Sequence, residues 1–408
     1  MKAVGIIAEY NPFHNGHLYQ IEEVKRLTGA DYIVVAMSGD FLQRGVPALT
    51  DKYTRAKLAL QNQVDLVLEI PVLWSCASAE YYGAAGVRLL ADTGIVDTIA
   101  FGAETDDLEA LQQIANLLAE EPEEYRVLLQ SSLKEGLSFP AARAKAVATC
   151  LGDDALSSIL EQPNNILAIE YLKAMKGTGI RPLLIPRVGD DYHATEVHSS
   201  IASASAIRAL IEGDGKLTNI KDCMPKAAYD TLQDVFLSQG LLYEDALSQA
   251  LGYRLISLPK DEFSRYADCD LDLGHRIANH LKEYQSFTSF VQLIATKNTT
   301  HTRVNRALLH ILLGIETEDL MEGKDHGYIP YLRVLGFRRQ SAAMFAALKA
   351  SRKKPLVTKV ADAVNQLPSE AHAMLLRDIQ AADLYNQMNQ VQNGIKIADD
   401  YTHPLVIL

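Results

Sequence analysis

Apolar residues follow two alternating rhythms through the first half of the chain. Short, almost wholly apolar runs at 3–8, 32–38, 64–70, 95–101 and 180–186 have the length of strands and lack the alternation of a half-solvated sheet, so they predict strands covered on both faces. Between them apolar residues recur at helical steps, as at Leu18, Ile21, Val24 and Leu27. That spacing predicts helices over 18–27, from the N-cap Thr50 to about 62, and over 78–92. Strands alternating with helices imply a doubly wound parallel sheet. Residues 106–176 read as helical, broken at Gln162-Pro163-Asn164-Asn165, and form an insertion. From 241 to 389 nearly every segment carries apolar residues at three- and four-residue steps, which predicts a mainly helical second half. Gly213-Asp214-Gly215 marks the boundary between domains 1–213 and 214–408.

Composition narrows the class. The chain has 408 residues with 48% hydrophobic and 22% charged, ordinary proportions for a globular protein. No apolar run approaches the roughly 20 residues needed to cross a bilayer, and the first strand, leading into Glu9 and a turn, is not a signal peptide. Cys76, Cys150, Cys223 and Cys269 show no metal-ligand spacing and read as reduced thiols of a cytoplasmic protein. The net charge of −12 argues against a nucleic-acid partner until its distribution is considered. Residues 286–360 hold twelve Lys/Arg against five Asp/Glu, a balance of +7, so the remainder carries −19. One region is basic on an acidic background.

Candidate chemistry collects at the ends of the strands. Glu9-Tyr10-Asn11-Pro12-Phe13-His14-Asn15-Gly16-His17 joins the first strand to the first helix. A helix N-terminus carries unpaired N–H groups and partial positive charge, so it attracts anions. Gly16 allows close backbone approach, and His14 and His17 add donors suited to phosphate oxygens. In open parallel sheets ligands bind at the carboxyl ends of the strands, where strand order reverses. The loop 39–45, Gly102, Arg187 and the Ser203-Ala204-Ser205-Ala206-Ile207-Arg208 segment fall at predicted strand ends or open a following helix. Each has a structural alternative: Asn164, Asn165, Ser203 and Ser205 as helix caps, Arg187 as a surface residue.

Strand, His-x-Gly-His, helix and a late Ser-rich segment ending in Ile207-Arg208 resemble the nucleotidylyltransferases, whose Rossmann-like (HUP) fold is shared with the class I aminoacyl-tRNA synthetases. Ala204 stands where that late motif usually has a hydroxyl. The resemblance is closer to the bacterial tRNA(Met) cytidine acetate ligases, in Met1-Lys2-Ala3-Val4-Gly5, in the turn from Glu9 to His17, in Met37-Ser38-Gly39-Asp40-Phe41-Leu42-Gln43-Arg44-Gly45 and in Pro163-Asn164-Asn165-Ile166-Leu167. It implies an enzyme that uses ATP and acetate to acetylate the wobble cytidine of elongator tRNA(Met), by way of acetyl-adenylate and pyrophosphate.

On that resemblance His14, His17 and Arg208 are the expected catalytic residues. The expected ATP contacts run through Ile7, Ala8, Glu9, Tyr10, Asn11, Pro12, Phe13, His14, Asn15, Gly16, His17, Leu18, Tyr19 and Gln20. Gly102, Arg187, Ser203 and Ser205 add to them, with Asn164 or Asn165 reading ribose or base. Magnesium is compatible as shielding for pyrophosphate, but the sequence offers no carboxylate cage and no metal ligands are assigned. Phe41 and Tyr10 are candidates for the acetate pocket, with ordinary packing as the alternative. The basic stretch, with Lys297, Arg303, Arg306, Arg338, Arg339, Lys353 and Lys354, is the expected tRNA backbone site; its alternative is a solvated helix face. Two further functions stay open at this point: transfer of AMP to a small phosphorylated acceptor, and a non-catalytic nucleotide- or RNA-binding module. No motif specifies subunit number.

Overall fold

The structure is a computed structural model and describes residues 1–187 and 202–408. The loop with His193 and His198 lies outside the described residues. The first half runs β1 (Ala3–Ala8), α1 (Asn15–Thr28), β2 (Tyr32–Ser38), β3 (Phe41–Leu42), β4 (Val46–Pro47), α2 (Lys52–Gln61), β5 (Leu66–Ile70), α3 (Val72–Ser75), α4 (Ala79–Asp92) and β6 (Val96–Ala103). The insertion is α5 (Leu108–Glu120), α6 (Glu123–Lys134), α7 (Phe139–Leu151), α8 (Leu156–Ile159) and α9 (Pro163–Met175), before β7 (Arg181–Pro186) and α10 (Ala204–Asp214). The second half holds α11 (Lys226–Ser238), α12 (Ser248–Ser257), α13 (Leu271–His280), α14 (Phe287–Ile294), α15 (His301–Leu313), α16 (Thr317–Asp325), β8 (Leu332–Phe337), α17 (Ala342–Ser351), β9 (Leu356–Val357), α18 (Val360–Ala363), α19 (Ser369–Asn393) and β10 (Val406–Ile407).

The main sheet has the order β10-β8-β5-β2-β1-β6-β7, with β9 beside β8. Its strands β5, β2, β1, β6 and β7 are parallel. The chain steps outward from β1 to β2 to β5, then returns to β6 on the other side of β1. Strand order therefore reverses between β1 and β6, and the crevice of a doubly wound sheet opens at their carboxyl ends. Both faces are covered. Ile33, Val35 and Met37 of β2 belong to one core with residues of α1, α2, α10 and α11, while Val34 and Ala36 belong to a second core with residues of α4, α5 and α9.

Three differences from the sequence reading have local causes. The first helix begins at Asn15 rather than Leu18, because His14 caps it. The cap of α2 is Asp51, whose carboxylate accepts from the N–H groups of Tyr53 and Thr54, both at 2.9 Å; the neighbouring Thr50 lends only its carbonyl, to Arg55. The helical second half contains β8, which lies antiparallel to β5. Leu332, Arg333, Val334, Leu335 and Gly336 are all buried, and a strand covered on both faces has no period that separates it from a buried helix. Through β8, β9 and β10 the second half completes the sheet, and the larger core cluster contains residues from both sides of Gly213-Asp214-Gly215.

Candidate active site

The turn after β1 is fixed by its own side chains. His14 is the N-cap of α1, and its Nδ1 accepts from the Gly16 N–H at 3.1 Å. The Nδ1 of His17 accepts from the His14 N–H at 3.2 Å, which closes a capping box made of two histidines. Their rings stack at 3.7 Å between centroids. A neutral imidazole that accepts at Nδ1 carries its proton on Nε2, so each ring keeps one N–H donor. Burial pushes His14 down to about 3, helped by the charges of Arg187 and Arg208. Burial, His14 and Arg187 push His17 well below the ordinary range in the same way. Both histidines are therefore neutral donors near pH 7. Tyr10 and Phe13 wall the His17 ring at 4.8 and 5.4 Å. Tyr10 adopts φ +50°, and its buried hydroxyl finds no partner among the described residues.

Two arginines close over this turn from later elements. Arg208 on α10 donates from Nη1 to the Asn11 carbonyl at 2.8 Å and from Nη2 to Ser205 Oγ at 3.4 Å. Arg187 follows β7 and lies across Gly102, where a Cβ would stand 3.4 Å from Arg187 Cγ. Burial lowers the Arg187 guanidinium and Glu104 opposes that shift. Ser203 caps α10 through the Ala206 N–H at 3.2 Å. The tertiary structure thus brings His14, His17, Gly102, Arg187, Ser205 and Arg208 to one cleft.

The two asparagines at the start of α9 serve the cleft less directly. Asn165 is buried, and its Oδ1 accepts from the Glu104 and Thr105 N–H groups at 2.9 and 3.1 Å. Asn164 Nδ2 donates to Glu104 Oε1 at 2.5 Å, and the Glu104 carboxylate also accepts the Asn164 and Asn165 N–H groups. Glu104 and this pair clamp the loop after β6 to the helix. Within the turn, the Asn11 side chain accepts from the Leu49 N–H at 2.7 Å, and Asn15 Nδ2 reaches the Asp222 carbonyl at 2.8 Å. Glu9 accepts from the Gln43 N–H at 3.0 Å. Ile7 packs against Gly86 of α4, while Ala8, Leu18 and Tyr19 pack on the α1-side core; Gln20 is half-buried on α1.

Residues with no motif signal hold the cleft in place. Arg55 of α2 is fully buried and donates to the carbonyls of Glu9 (2.8 Å), Ser38 (3.0 Å), Thr50 (3.1 Å) and Gly39. It ties together the carboxyl ends of β1 and β2. Beneath the hairpin β3–β4, Lys52 Nζ meets Glu69 and Asp400, both at 2.9 Å, while Arg333 meets Glu69 at 3.0 Å and Asp400 at 2.8 Å. Burial opposes ionisation of Asp400, but Lys52 and Arg333 hold its carboxyl well below the usual carboxylate range. The hairpin also brings Arg44 to the cleft, where its Nη1 donates to Ser205 Oγ at 3.2 Å. A hydrophobic pattern carries no information about any of these contacts, because the partners lie far apart in sequence.

The basic residues divide into two groups. Lys297 is exposed just before α15. Arg303 pairs with Asp270 at 2.7 Å, and Arg306 makes two 2.9 Å bonds to Asp268. The hairpin tip touches this helix so closely that a Cβ on Gly45, whose φ is +75°, would stand 2.3 Å from the Arg306 backbone nitrogen. Arg306 and the helix that carries it are therefore joined to the carboxyl edge of the sheet. Arg338 donates its N–H to the carbonyl of Asp65, ahead of β5, and Lys353 to the carbonyl of Asp92, ahead of β6. Those are the amino ends of the parallel strands, so Arg338, Arg339 and Lys353 lie at the opposite edge, about 20 Å of strand away, whereas Lys354 leads into Pro355, whose carbonyl accepts the Leu332 N–H beside the carboxyl end of β5. Among the described residues no group of three or more His, Cys, Asp or Glu is placed to hold a metal ion, and no helix is long and apolar enough to cross a membrane.

Comparison with known proteins extends over the whole chain. A family model described as HIGH Nucleotidyl Transferase matches residues 1–399. The tRNA(Met) cytidine acetate ligase of Acetivibrio thermocellus is 36% identical over 416 residues, covering 100% of both chains. That of Caldanaerobacter subterraneus is 37% identical over 415 residues with the same coverage. The crystal structure of apo Thermotoga maritima TmcAL superposes with a TM-score of 0.94 at 28% identity, and the form bound with alpha-thio ATP with 0.91 at 28%, each covering 100% of both chains.

Proposed function

The chain belongs to the tRNA(Met) cytidine acetate ligase family of HIGH nucleotidyl transferases, and from that premise we propose that it activates acetate with ATP and acetylates the wobble cytidine of elongator tRNA(Met). One observation carries this reading at the site. Two neutral imidazoles, each with a proton on Nε2, sit on a helix N-terminus beneath Arg187 and Arg208. That is a site for an anion whose charge grows during reaction.

Acetate is a poor acyl donor because its leaving group would be oxide. Its carboxylate oxygen attacks the α-phosphorus of ATP, the bond to the bridging oxygen breaks, and pyrophosphate leaves. His14 and His17 donate to the α-phosphoryl oxygens as charge builds there, while Arg208 and Arg187 receive the departing pyrophosphate. The exocyclic amine of cytidine then attacks the acetyl carbonyl, AMP leaves, and the amine proton is lost to solvent. Ser203, Ser205 and the N-terminus of α10 line the phosphate side. Asn165 contributes by fixing the loop after β6, and Asn164, bonded to Glu104, is the one of the pair that borders the nucleotide. Magnesium fits as a counter-ion carried in by the triphosphate; no described carboxylate cluster competes for it.

Residues 1–213 carry the nucleotide chemistry and residues 214–408 dock the tRNA in the cytoplasm. Lys297, exposed at the head of α15, supplies a phosphate contact near the reacting base, while Arg303 and Arg306 are held by Asp270 and Asp268. The test is to incubate the protein with labelled acetate, ATP and bulk tRNA, then digest the tRNA. Label in acetylcytidine supports the reading. Label in a small phosphorylated acceptor points to AMP transfer instead, and ATP binding without any label points to a non-catalytic module.

A further inference from the structure

The cleft holds a carboxylate that the adenylation chemistry does not call for. Glu104 is the first residue after β6, and a free anion beside a triphosphate would repel it. Its oxygens are not free. They accept from the Asn164 N–H at 3.2 Å, the Asn165 N–H at 2.8 Å and the Asn164 side-chain amide at 2.5 Å. The two backbone groups are the second and third residues of α9, the donors that a helix cap normally serves. The helix has no such cap of its own: Gln162 makes no side-chain bond, and Pro163 has no N–H. Glu104 thus caps a helix that lies 60 residues further along the chain. That helix is seated on α4, where a Cβ on Gly83 would stand 3.2 Å from Glu170 Cβ. On the neighbouring strand is Arg187. Strands β6 and β7 pair in parallel as far as Ala103 and Pro186, so Glu104 and Arg187 are the next residues in register. The Arg187 N–H still reaches the Ala103 carbonyl at 3.4 Å, and its stem lies across Gly102. Burial lowers the Arg187 guanidinium, and Glu104 is the charge that offsets this. The Glu104 oxygens are engaged by three donors, so its part is alignment rather than proton transfer.

We infer that Glu104 is a positioning residue for the adenylation step, holding the start of α9 and Arg187 at one fixed separation so that Asn164 and the guanidinium meet the same nucleotide. This rests on the ligase reading above and adds to it the residue that couples the two sides of the nucleotide subsite. Asn165 returns the constraint: its Oδ1 accepts from the Glu104 and Thr105 N–H groups at 2.9 and 3.1 Å and so locks the backbone that carries the carboxylate.

The experiment is acetate-dependent exchange of labelled pyrophosphate into ATP, run on the full chain and on Glu104→Gln, Arg187→Gln and the double variant, with thermal melting to verify that each is folded. Glu104→Gln keeps the shape, removes the charge and turns one acceptor into a donor that faces the N–H groups of α9. It should raise KM for ATP by about 10-fold, the scale of a charge-assisted bond, while KM for acetate moves less than about 3-fold. Glu104→Asp, which keeps the charge, should recover part of the loss. In the Arg187→Gln background Glu104→Gln should lower kcat/KM for ATP by less than about 3-fold further, because a guanidinium that is gone cannot be misplaced. Equal rises in both KM values, or a double variant whose loss is the product of the two single losses, would overturn the inference and leave the ligase reading standing. Exchange by the wild-type protein that does not depend on acetate would overturn both. If Glu104→Gln melts early, Glu104→Asp decides in its place: a rise in KM for ATP that is selective and non-additive with Arg187→Gln supports the proposal, and an unchanged, additive or unselective one counts against it.

Discussion

His14→Asn separates the electrostatics of the catalytic turn from its geometry. Asparagine is among the best N-caps and can still accept the Gly16 N–H, so α1 keeps its start. The substitution removes a buried titratable ring. The His14 side chain is held at about 3 in the folded protein, whereas a histidine in an unfolded chain titrates near 6.5. Between those values the unfolded chain binds one more proton than the folded one, so stability falls as pH drops below about 6.5 and is fully retained above it. Each pH unit is worth about 1.36 kcal/mol. Lowering pH from 6.5 to 4.5 should therefore cost the wild type about 2.3 kcal/mol more than His14→Asn, because the unfolded ring is already half protonated at about 6.5. Urea unfolding at matched pH values measures this directly. Groups common to both proteins and remote from His14, including Asp40, whose burial pushes it up to about 7, cancel in the difference; His17, which burial, His14 and Arg187 all lower, is read separately in a His17→Ala background. At pH 7 the same variant should lose about a hundredfold or more in acetyl-adenylate formation, because the amide does not reach where Nε2–H reached. If the two stability curves stay parallel from pH 7 to 4.5, His14 is not held neutral by the fold and the donor role derived for it is wrong.

Three further outcomes are expected. His17→Ala should lower pyrophosphate exchange by a few hundredfold through the lost donor, and it should cost only about 1 kcal/mol of stability through the lost capping bond, so near-normal turnover in a folded variant would remove it from the chemistry. Asp400→Ala strips one carboxylate from the buried Lys52 and Arg333 cluster and should destabilise the chain by about 3–5 kcal/mol, visible as a lower urea midpoint; an unchanged midpoint would mean that Glu69 and Asp40 suffice. Lys297→Glu should weaken tRNA acetylation and flatten its salt dependence while pyrophosphate exchange continues unchanged, whereas Arg338→Glu with Lys353→Glu, at the far edge of the sheet, should do less; the reverse ranking would place the tRNA on the opposite edge.

The sequence by itself determined the parts of this protein that depend on local pattern. The five parallel strands of the first half, the helices between them and the His14–His17 turn are all legible, because apolar period and helix caps act over a few residues. Resemblance supplied the reaction class. Tertiary structure alone decided the rest. It showed that β8 and β10 complete a sheet begun by β1, which no local period reveals in a strand buried on both faces. It placed Asn165 on backbone N–H groups, although its sequence position suited a cap or a ligand equally well. It separated one basic stretch into two groups at opposite ends of the sheet, because antiparallel β8 carries the chain from one edge to the other. It also assembled Arg55, Lys52, Arg333 and Asp400 beneath the cleft and Arg44 beside it. Buried charges must find partners wherever the fold brings them together, and that pairing is written in three dimensions rather than along the chain.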